Sequence, residues 1–228
     1  SSIANEFYKQ TLTSVTIGSE SQKHDETELA NIYSREIGLN HISKIMNSSD
    51  AINILDDLIG SITEPFADIS IIPTFLISKV SKEYFNVALS GDGGDELFFG
   101  YERFGSIAKN NKIQNLPFLL KYLIYGTDKI LSKNRNFNSN CLFSLSSEAH
   151  FHLQSRFQPN LIIKLFKDLQ NTNYPRDFRN FDYENTNNNE KLYQYMRYSE
   201  FYGMMQKTLK KIDLASMHNS LEVRVPFL

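Results

Sequence analysis

Three glycines and three acidic residues crowd into one short segment, Ser90-Gly-Asp-Gly-Gly-Asp-Glu96. The segment follows an apolar run that ends at Leu89 and precedes apolar residues that open a helix. A glycine-rich turn between a strand and a helix offers backbone N–H groups to an anion at the edge where open α/β sheets bind ligands. The carboxylates of Asp92, Asp95 and Glu96 repel a bare polyphosphate but ligate Mg²⁺ well. The spacing therefore favours a loop that binds Mg²⁺ and a polyphosphate.

Two other interpretations of this segment stay open. Asp-Gly dipeptides commonly form surface turns that bind nothing. A calcium loop fits less well, because the EF-hand pattern needs oxygen ligands at alternating positions and a glutamate at the twelfth. Counted from Asp92, Gly94 falls on a ligand position and Arg103 stands where the glutamate is needed.

The elements that position this segment alternate between strands and helices. We predict a strand at 12–18, a helix from an N-cap at Asp25 to Gly38, helices at 49–62 and 73–84, and a strand at 85–89. This alternation is typical of βαβ units, so we expect an α/β fold whose parallel sheet carries helices on both faces.

The second half of the chain has a different pattern. Strand signals become scarce beyond about Tyr101, and helical periodicity dominates at 113–131, 147–157, 160–169 and 191–209. Asn-rich breaks at 134–140 and 185–189 separate these runs. We expect a mostly helical second half.

Composition excludes several classes of protein. The 24 Lys and Arg residues against 26 Asp and Glu leave a net charge of −2, which gives no basis for a nucleic-acid or anionic-membrane binder. The single cysteine, Cys141, cannot form an internal disulfide and fits a reducing compartment. The most apolar run, 116–125, contains Pro117 and Lys121 and is too short to span a bilayer. We therefore expect small-molecule partners.

Other charged residues have weaker patterns. The five histidines share no metal-ligand spacing, and His150 and His152, two positions apart, are expected to be polar surface residues. Glu222 and Arg224 alternate with apolar valines, so a structural ion pair is favoured over catalysis.

Four ordered segments carry a family resemblance. SGDGGDELFFGY at 90–101 resembles the second nucleotide-site motif of the asparagine synthetase family. EPFADISIIPT at 64–74, KIDLASMHNSLEVRVPFL at 211–228, and VTIG at 15–18 followed by Asp25-Glu26 are similar to its other signatures. The resemblance covers essentially the whole chain, although 110–190 matches only in its helical character.

The resemblance implies a fold and a domain arrangement. Residues 1–104 would be a nucleotide-binding core of the adenine-nucleotide alpha-hydrolase-like kind, lacking its first strand and most of the pyrophosphate loop. Residues 105–228 would be the mainly helical remainder of the synthetase domain. A glutaminase domain is expected in the parent chain, which would be cytoplasmic, and the 228 residues alone are expected to be inactive.

The resemblance also implies a reaction and its residues. ATP would activate a carboxylate as an acyl-adenylate with release of pyrophosphate, and ammonia would then form the amide, most simply asparagine from aspartate. Ile17, Ser90 and Gly91 would bind ATP, while Asp95 and Glu96 would bind Mg²⁺. Catalytic roles fall on Asp92, Asp95 and Tyr101, with Asp92 facing the acyl centre as a proton acceptor.

Two questions remain open after the resemblance. Glu64 and Asp68 in the EPFAD segment are equally compatible with a substrate-pocket role and with a helix-entry device beside Pro65. Two alternatives to asparagine synthesis also stay open. In the first, a related ligase amidates another carboxylate, for example a sugar-linked one. In the second, the chain is a catalytically silent interaction fragment.

Overall fold

The computed structural model describes residues 2–8, 10–21, 25–64, 66–131, 147, 150, 153, 164–166 and 186–228. These residues belong to two packed units. The first unit consists of residues 1–91 and 209–226, and the second unit of residues 92–208 and 227–228. These units have other bounds than the predicted domains at 1–104 and 105–228. The assignment of the nucleotide-binding core to 1–104 stays a prediction.

The first unit holds the strands and five complete helices of the described part. Its strands are β1 (Thr13–Ser19), β2 (Asn40–Met46), β3 (Val87–Leu89) and β4 (Glu222–Arg224). Its helices are α1 (Ser2–Phe7), α2 (Thr27–Ile37), α3 (Ser48–Asn53), α4 (Leu55–Ser61) and α5 (Ile71–Lys82).

The strands pair in parallel, as predicted, but in two separate two-stranded sheets. β1 pairs with β2 from Thr13 opposite Asn40 to Ser19 opposite Met46. β3 pairs with β4 from Val87 opposite Glu222 to Leu89 opposite Arg224. The mixed α/β class is confirmed at this level.

Several predicted elements are confirmed and others are wrong in detail. β1, α5 and β3 lie where they were predicted, and Gly38 ends α2 in the left-handed conformation at φ 76°. Glu26 rather than Asp25 precedes the first turn of α2. The single helix predicted at 49–62 is two helices, because Ile54 at φ −96° and ψ −4° interrupts it.

β2 was not predicted at all. Its sequence, Asn-His-Ile-Ser-Lys-Ile-Met, mixes polar and apolar residues without a clean alternation. The strand forms because β1 supplies a parallel partner along its full length, which is a tertiary effect that local propensity does not encode.

The core of the first unit lies between its helices and β1. Val15 and Ile17 of β1 pack against a buried cluster formed by Ile54, Leu58, Ile71, Phe75, Leu76, Val80 and Ala215. Phe75 also contacts the ring of His218 at a centroid distance of 5.1 Å. This packing fixes β1 against α5.

The second unit is helical in its described residues. The described residues beyond Tyr101 are mostly helical, as predicted, apart from β4. It contains α6 (Gly94–Phe98), α7 (Glu102–Gln114), α8 (Phe118–Leu131), α9 (Asn189–Ser199) and a π-helical turn (Glu200–Met204). α10 (Met205–His218) begins in this unit and continues into the first. The buried apolar cluster of the second unit consists of Phe104, Ile107, Leu192 and Met196. Most of the helices predicted at 147–157 and 160–169 lie outside the described residues.

Candidate functional site

The glycine-rich turn leaves β3 at its carboxyl end. The backbone amide of Ser90 donates to the carbonyl of Arg224 at 2.9 Å, which extends the pairing of β3 with β4 by one residue. Gly91 follows, with open space where a Cβ would stand. These two predicted ATP-binding residues therefore lie just beyond a parallel strand, where α/β sheets present backbone groups to ligands.

Ile17, the third predicted ATP-binding residue, lies within β1. Its side chain packs against the core around Phe75, and it is in register with Lys44 of β2. The neighbouring Gly18 is closely approached, since an added Cβ would stand 2.6 Å from Oδ1 of Asp25. A larger residue at this position would displace the Asp25 side chain. The Thr27 hydroxyl and amide donate to Asp25 and hold its pKa below the usual range.

The three acids of the turn lie in the second unit and differ in exposure. Asp95 is exposed, Asp92 is half-buried, and Glu96 is only 3% exposed. Gly93 has φ 87°, a left-handed conformation that strains any other residue, so the turn between Asp92 and Asp95 depends on glycine. The local backbone thus turns one carboxylate to solvent and another into the interior.

The exposed carboxylate of Asp95 lies over Gly100. A Cβ at Gly100 would collide with Oδ1 of Asp95, so a larger residue there would displace this carboxylate. Among the described residues, no group of three or more potential ligand side chains could hold a metal ion. Mg²⁺ commonly uses one or two protein carboxylates and completes its shell with phosphate oxygens and water. Asp95 fits that mode, whereas the burial of Glu96 favours a supporting role.

Tyr101 holds the buried carboxylate of Glu96. Its hydroxyl donates to Oε1 of Glu96 at 2.8 Å, and the hydroxyl of Thr208 lies 3.5 Å from the same oxygen. Burial, followed by the hydrogen bond to Glu96, raises the pKa of Tyr101 far above its ordinary value. Tyr101 therefore stays a neutral phenol and a permanent donor at any physiological pH.

An ionic cluster that was not predicted lies beside these residues. Arg103 donates from Nε and Nη2 to the two carboxylate oxygens of Glu200, both at 2.8 Å. His150 Nε2 lies 2.8 Å from Oε1 of Glu200, and both side chains are fully buried. The prediction that His150 is a polar surface residue is wrong, because the buried carboxylate of Glu200 provides it with a partner.

A signal for this cluster is present in the sequence. Leu192, Met196 and Glu200 recur every four residues, so Glu200 continues the buried apolar stripe of α9 into the π-helical turn. A carboxylate on an apolar helix face requires a buried cationic or donor partner.

Glu64 and Asp68 have partners in the first unit. Asp68 Oδ1 accepts from the backbone amide of Ser70 at 3.0 Å and from its hydroxyl at 2.7 Å, directly before α5. Glu64 forms an ion pair with Lys210. The helix-entry interpretation of Asp68 has structural support, and the substrate-pocket role of both acids stays a prediction.

Other predicted features have mixed outcomes. Arg224 Nε and Glu222 Oε1 form the expected ion pair at 2.7 Å. Cys141 and His152 lie outside the described residues. Within the described part of the chain, no helix has the length and apolar character needed to cross a membrane.

Comparisons with known proteins agree with the motifs. The asparagine synthase family model matches residues 1–228. The chain is 28% identical over 236 residues to asparagine synthetase [glutamine-hydrolyzing] 1 of Bacillus subtilis, covering 100% of this chain and 36% of that protein. It is 26% identical over 227 residues to a putative asparagine synthetase [glutamine-hydrolyzing] of Mycobacterium bovis, covering 95% and 34%.

The chain spans about a third of the length of these curated relatives. A shorter match, 31% identical over 114 residues, is to a putative asparagine synthetase [glutamine-hydrolyzing] 2 of Methanocaldococcus jannaschii and covers 50% of this chain. Because the family model spans every residue, including the glycine-rich turn and the strands that flank it, the chain belongs to the asparagine synthase family.

Proposed function

We propose that this chain is part of an ATP-dependent ligase that converts aspartate to asparagine. The aspartate carboxylate attacks the α-phosphorus of ATP and pyrophosphate leaves; ammonia then attacks the acyl carbon, loses a proton and displaces AMP. The observation that carries this proposal is the turn at 90–96, which begins just beyond β3 and presents an exposed Asp95 and a half-buried Asp92 in a chain of this family. Ammonia from glutamine, supplied by a glutaminase domain of the parent chain, belongs to the same proposal.

The ATP-binding part of the proposal involves the first unit. Ile17 would contact adenine through its backbone, and Ser90 and Gly91 would contact the nucleotide. In the described part, β1 has β2 as its one partner and β3 has β4, so each has an edge that a further parallel strand can pair with. The parallel pairing of these strands supports a nucleotide-binding core of the adenine-nucleotide alpha-hydrolase-like kind.

The chemical part of the proposal involves Asp95, Asp92 and Tyr101. Mg²⁺, when bound, neutralises charge on the departing pyrophosphate. Asp95 would ligate it, since its carboxylate is exposed and the absence of a Cβ at Gly100 leaves room for it. Asp92 would accept the proton that ammonia loses, and Tyr101 would line the pocket and donate hydrogen bonds only.

The first test separates Asp95 from ordinary surface acids. In the complete protein, Asp95→Asn should nearly abolish aspartate-dependent exchange of labelled pyrophosphate into ATP, because a neutral amide replaces a metal-binding charge. Asp56→Asn, which removes an exposed carboxylate from α4, serves as the control and should leave exchange unchanged. Full exchange by Asp95→Asn would contradict the metal role.

The second test separates the two chemical steps. Asp92→Asn should retain pyrophosphate exchange but lose amide formation by about 10²–10⁴-fold, the usual cost of a lost general base. Exchange reports the first step and product amide the second. Exchange that depends on a carboxylate other than aspartate would identify the related-ligase alternative, and absence of exchange with any carboxylate would favour a silent interaction fragment.

A further inference from the structure

A second carboxylate, Glu200, is buried next to the candidate site without belonging to the glycine-rich motif. It is fully buried and begins the π-helical turn, where the Met205 amide donates to its backbone carbonyl. π-helical turns interrupt regular helices at a cost and occur frequently at functional sites. A charge in such a place is stable only when well-directed donors surround it.

Arg103 connects this carboxylate to the pocket residue Tyr101. One edge of its guanidinium makes the two-pronged hydrogen bond with Glu200. Its Cζ lies over the ring of Tyr101, 3.7 Å from the ring centroid, which is a close cation–π contact. A guanidinium that donates to both oxygens of one carboxylate has little rotational freedom, so Glu200 holds the Arg103 charge over the Tyr101 ring.

Tyr101 in turn reaches the acidic turn. Its hydroxyl donates to Glu96, the residue that follows the exposed Asp95. Four side chains thus form a continuous series of contacts from the π-helical turn to the first turn of α6: Glu200, Arg103, Tyr101 and Glu96.

We propose that Glu200 is a positioning residue: through Arg103 it fixes the Tyr101 ring, and Tyr101 holds Glu96 and the turn that carries Asp92 and Asp95. This inference rests on the proposed ligase function. Stability alone does not require the arrangement, because well-packed apolar residues commonly replace buried ion pairs at no cost. Small displacements of reacting groups cost up to about 10²-fold in rate, so a rigid series of contacts to the acidic turn has a catalytic value.

The test uses the complete protein and three variants of the series: Glu200→Gln, Arg103→Lys and Tyr101→Phe. Each keeps side-chain volume nearly constant and weakens the series at one residue. We expect kcat for aspartate-dependent pyrophosphate exchange to fall about 10–10²-fold in each variant, with KM for ATP unchanged within about twofold. The control for lost stability is Ile107→Val, which removes one methylene from the buried apolar cluster of the second unit and changes no charge. This variant should keep its kcat.

The outcomes separate this inference from the proposed function. Wild-type kcat in folded Glu200→Gln, or an equal loss in Ile107→Val, overturns the positioning role while the ligase function stands. If Glu200→Gln does not fold, Tyr101→Phe and Arg103→Lys decide, and full kcat in both overturns the inference. A wild-type protein that exchanges pyrophosphate with no carboxylate overturns the proposed function and the inference together.

Discussion

The two units place their acidic side chains differently. In the first unit, Glu64 and Glu222 form ion pairs with their side chains 60% and 56% exposed, and Asp68 accepts from the neighbouring Ser70. In the second unit, Glu96 and Glu200 are 3% and 0% exposed and depend on Tyr101, Arg103 and His150. Exposed pairs contribute little free energy, whereas a buried carboxylate costs several kcal/mol unless it is fully partnered. This difference is the basis of the positioning role proposed for Glu200.

The largest expected effect comes from breaking the buried pair. Glu200→Ala leaves Arg103 without its carboxylate partner and should lower the free energy of unfolding by about 3–5 kcal/mol. Glu64→Ala, its counterpart in the first unit, should cost at most about 1 kcal/mol. Urea denaturation followed by circular dichroism measures both, and equal losses would contradict the comparison.

Glu200 also predicts an acid dependence. Burial acts to raise the pKa of Glu200, but the hydrogen bonds from His150 and Arg103 outweigh it and lower the pKa below its usual value. A carboxyl with a lowered folded-state pKa stabilises the protein above the unfolded-state pKa, and this stabilisation is lost as the pH falls through the folded-state pKa. Unfolding free energy measured below about pH 4 should therefore decline less steeply in Glu200→Gln than in the wild type. An equal decline of the unfolding free energy with falling pH in the two proteins would contradict the lowered pKa of Glu200.

In the first unit, a buried apolar residue should contribute more to the free energy of unfolding than an exposed one. Leu76 is 3% exposed in the core, whereas Leu29 on α2 is 55% exposed. Leu76→Ala should cost about 2–5 kcal/mol through lost burial and a cavity. Leu29→Ala should change the unfolding free energy by no more than about 0.5 kcal/mol. A large loss in Leu29→Ala would show that α2 has a packing partner in solution.

Replacing a glycine by alanine should change the free energy of unfolding in opposite directions at two positions, one in each unit. Gly38 has φ 76° and nothing within 4 Å of an added Cβ, so Gly38→Ala should cost about 1–2 kcal/mol from backbone strain alone. Gly105 lies inside α7, also with open space at the Cβ position, and Gly105→Ala should add about 0.4–1 kcal/mol. Thermal unfolding of both variants measures these shifts, and destabilisation by Gly105→Ala would show that the site has an unrecognised contact.

A small effect that depends on salt is expected at the exposed pair on β4. Arg224→Ala should cost at most about 1 kcal/mol, and the difference from the wild type should shrink as salt is raised. A loss that is larger and independent of salt would contradict a surface role for this pair.

Local patterns predicted the features that depend on local physics. β1, α5 and the end of α2 at Gly38 follow from apolar periodicity and from the need for glycine at positive φ. β2 depends on its partner β1, so local propensity missed it. The break at Ile54 was missed as well.

The candidate site was predicted to a similar extent. The acidic turn was visible because glycines and carboxylates are adjacent in sequence. The contact between Arg103 and Glu200 joins residues 97 positions apart, and the charge of Glu200 gave no local indication of which residue would neutralise it. The buried partner of His150 was missed for the same reason, since the two are 50 positions apart.

The most direct measurement of the central claim is a double-mutant cycle on pyrophosphate exchange in the complete protein. If Glu200 acts on the acidic turn through Arg103 and Tyr101, then Glu200→Gln and Tyr101→Phe interrupt the same series of contacts. The double variant should then have the kcat of the slower single variant within about twofold. A kcat reduced by the product of the two single effects would show that Glu200 and Tyr101 act independently, and would contradict the account.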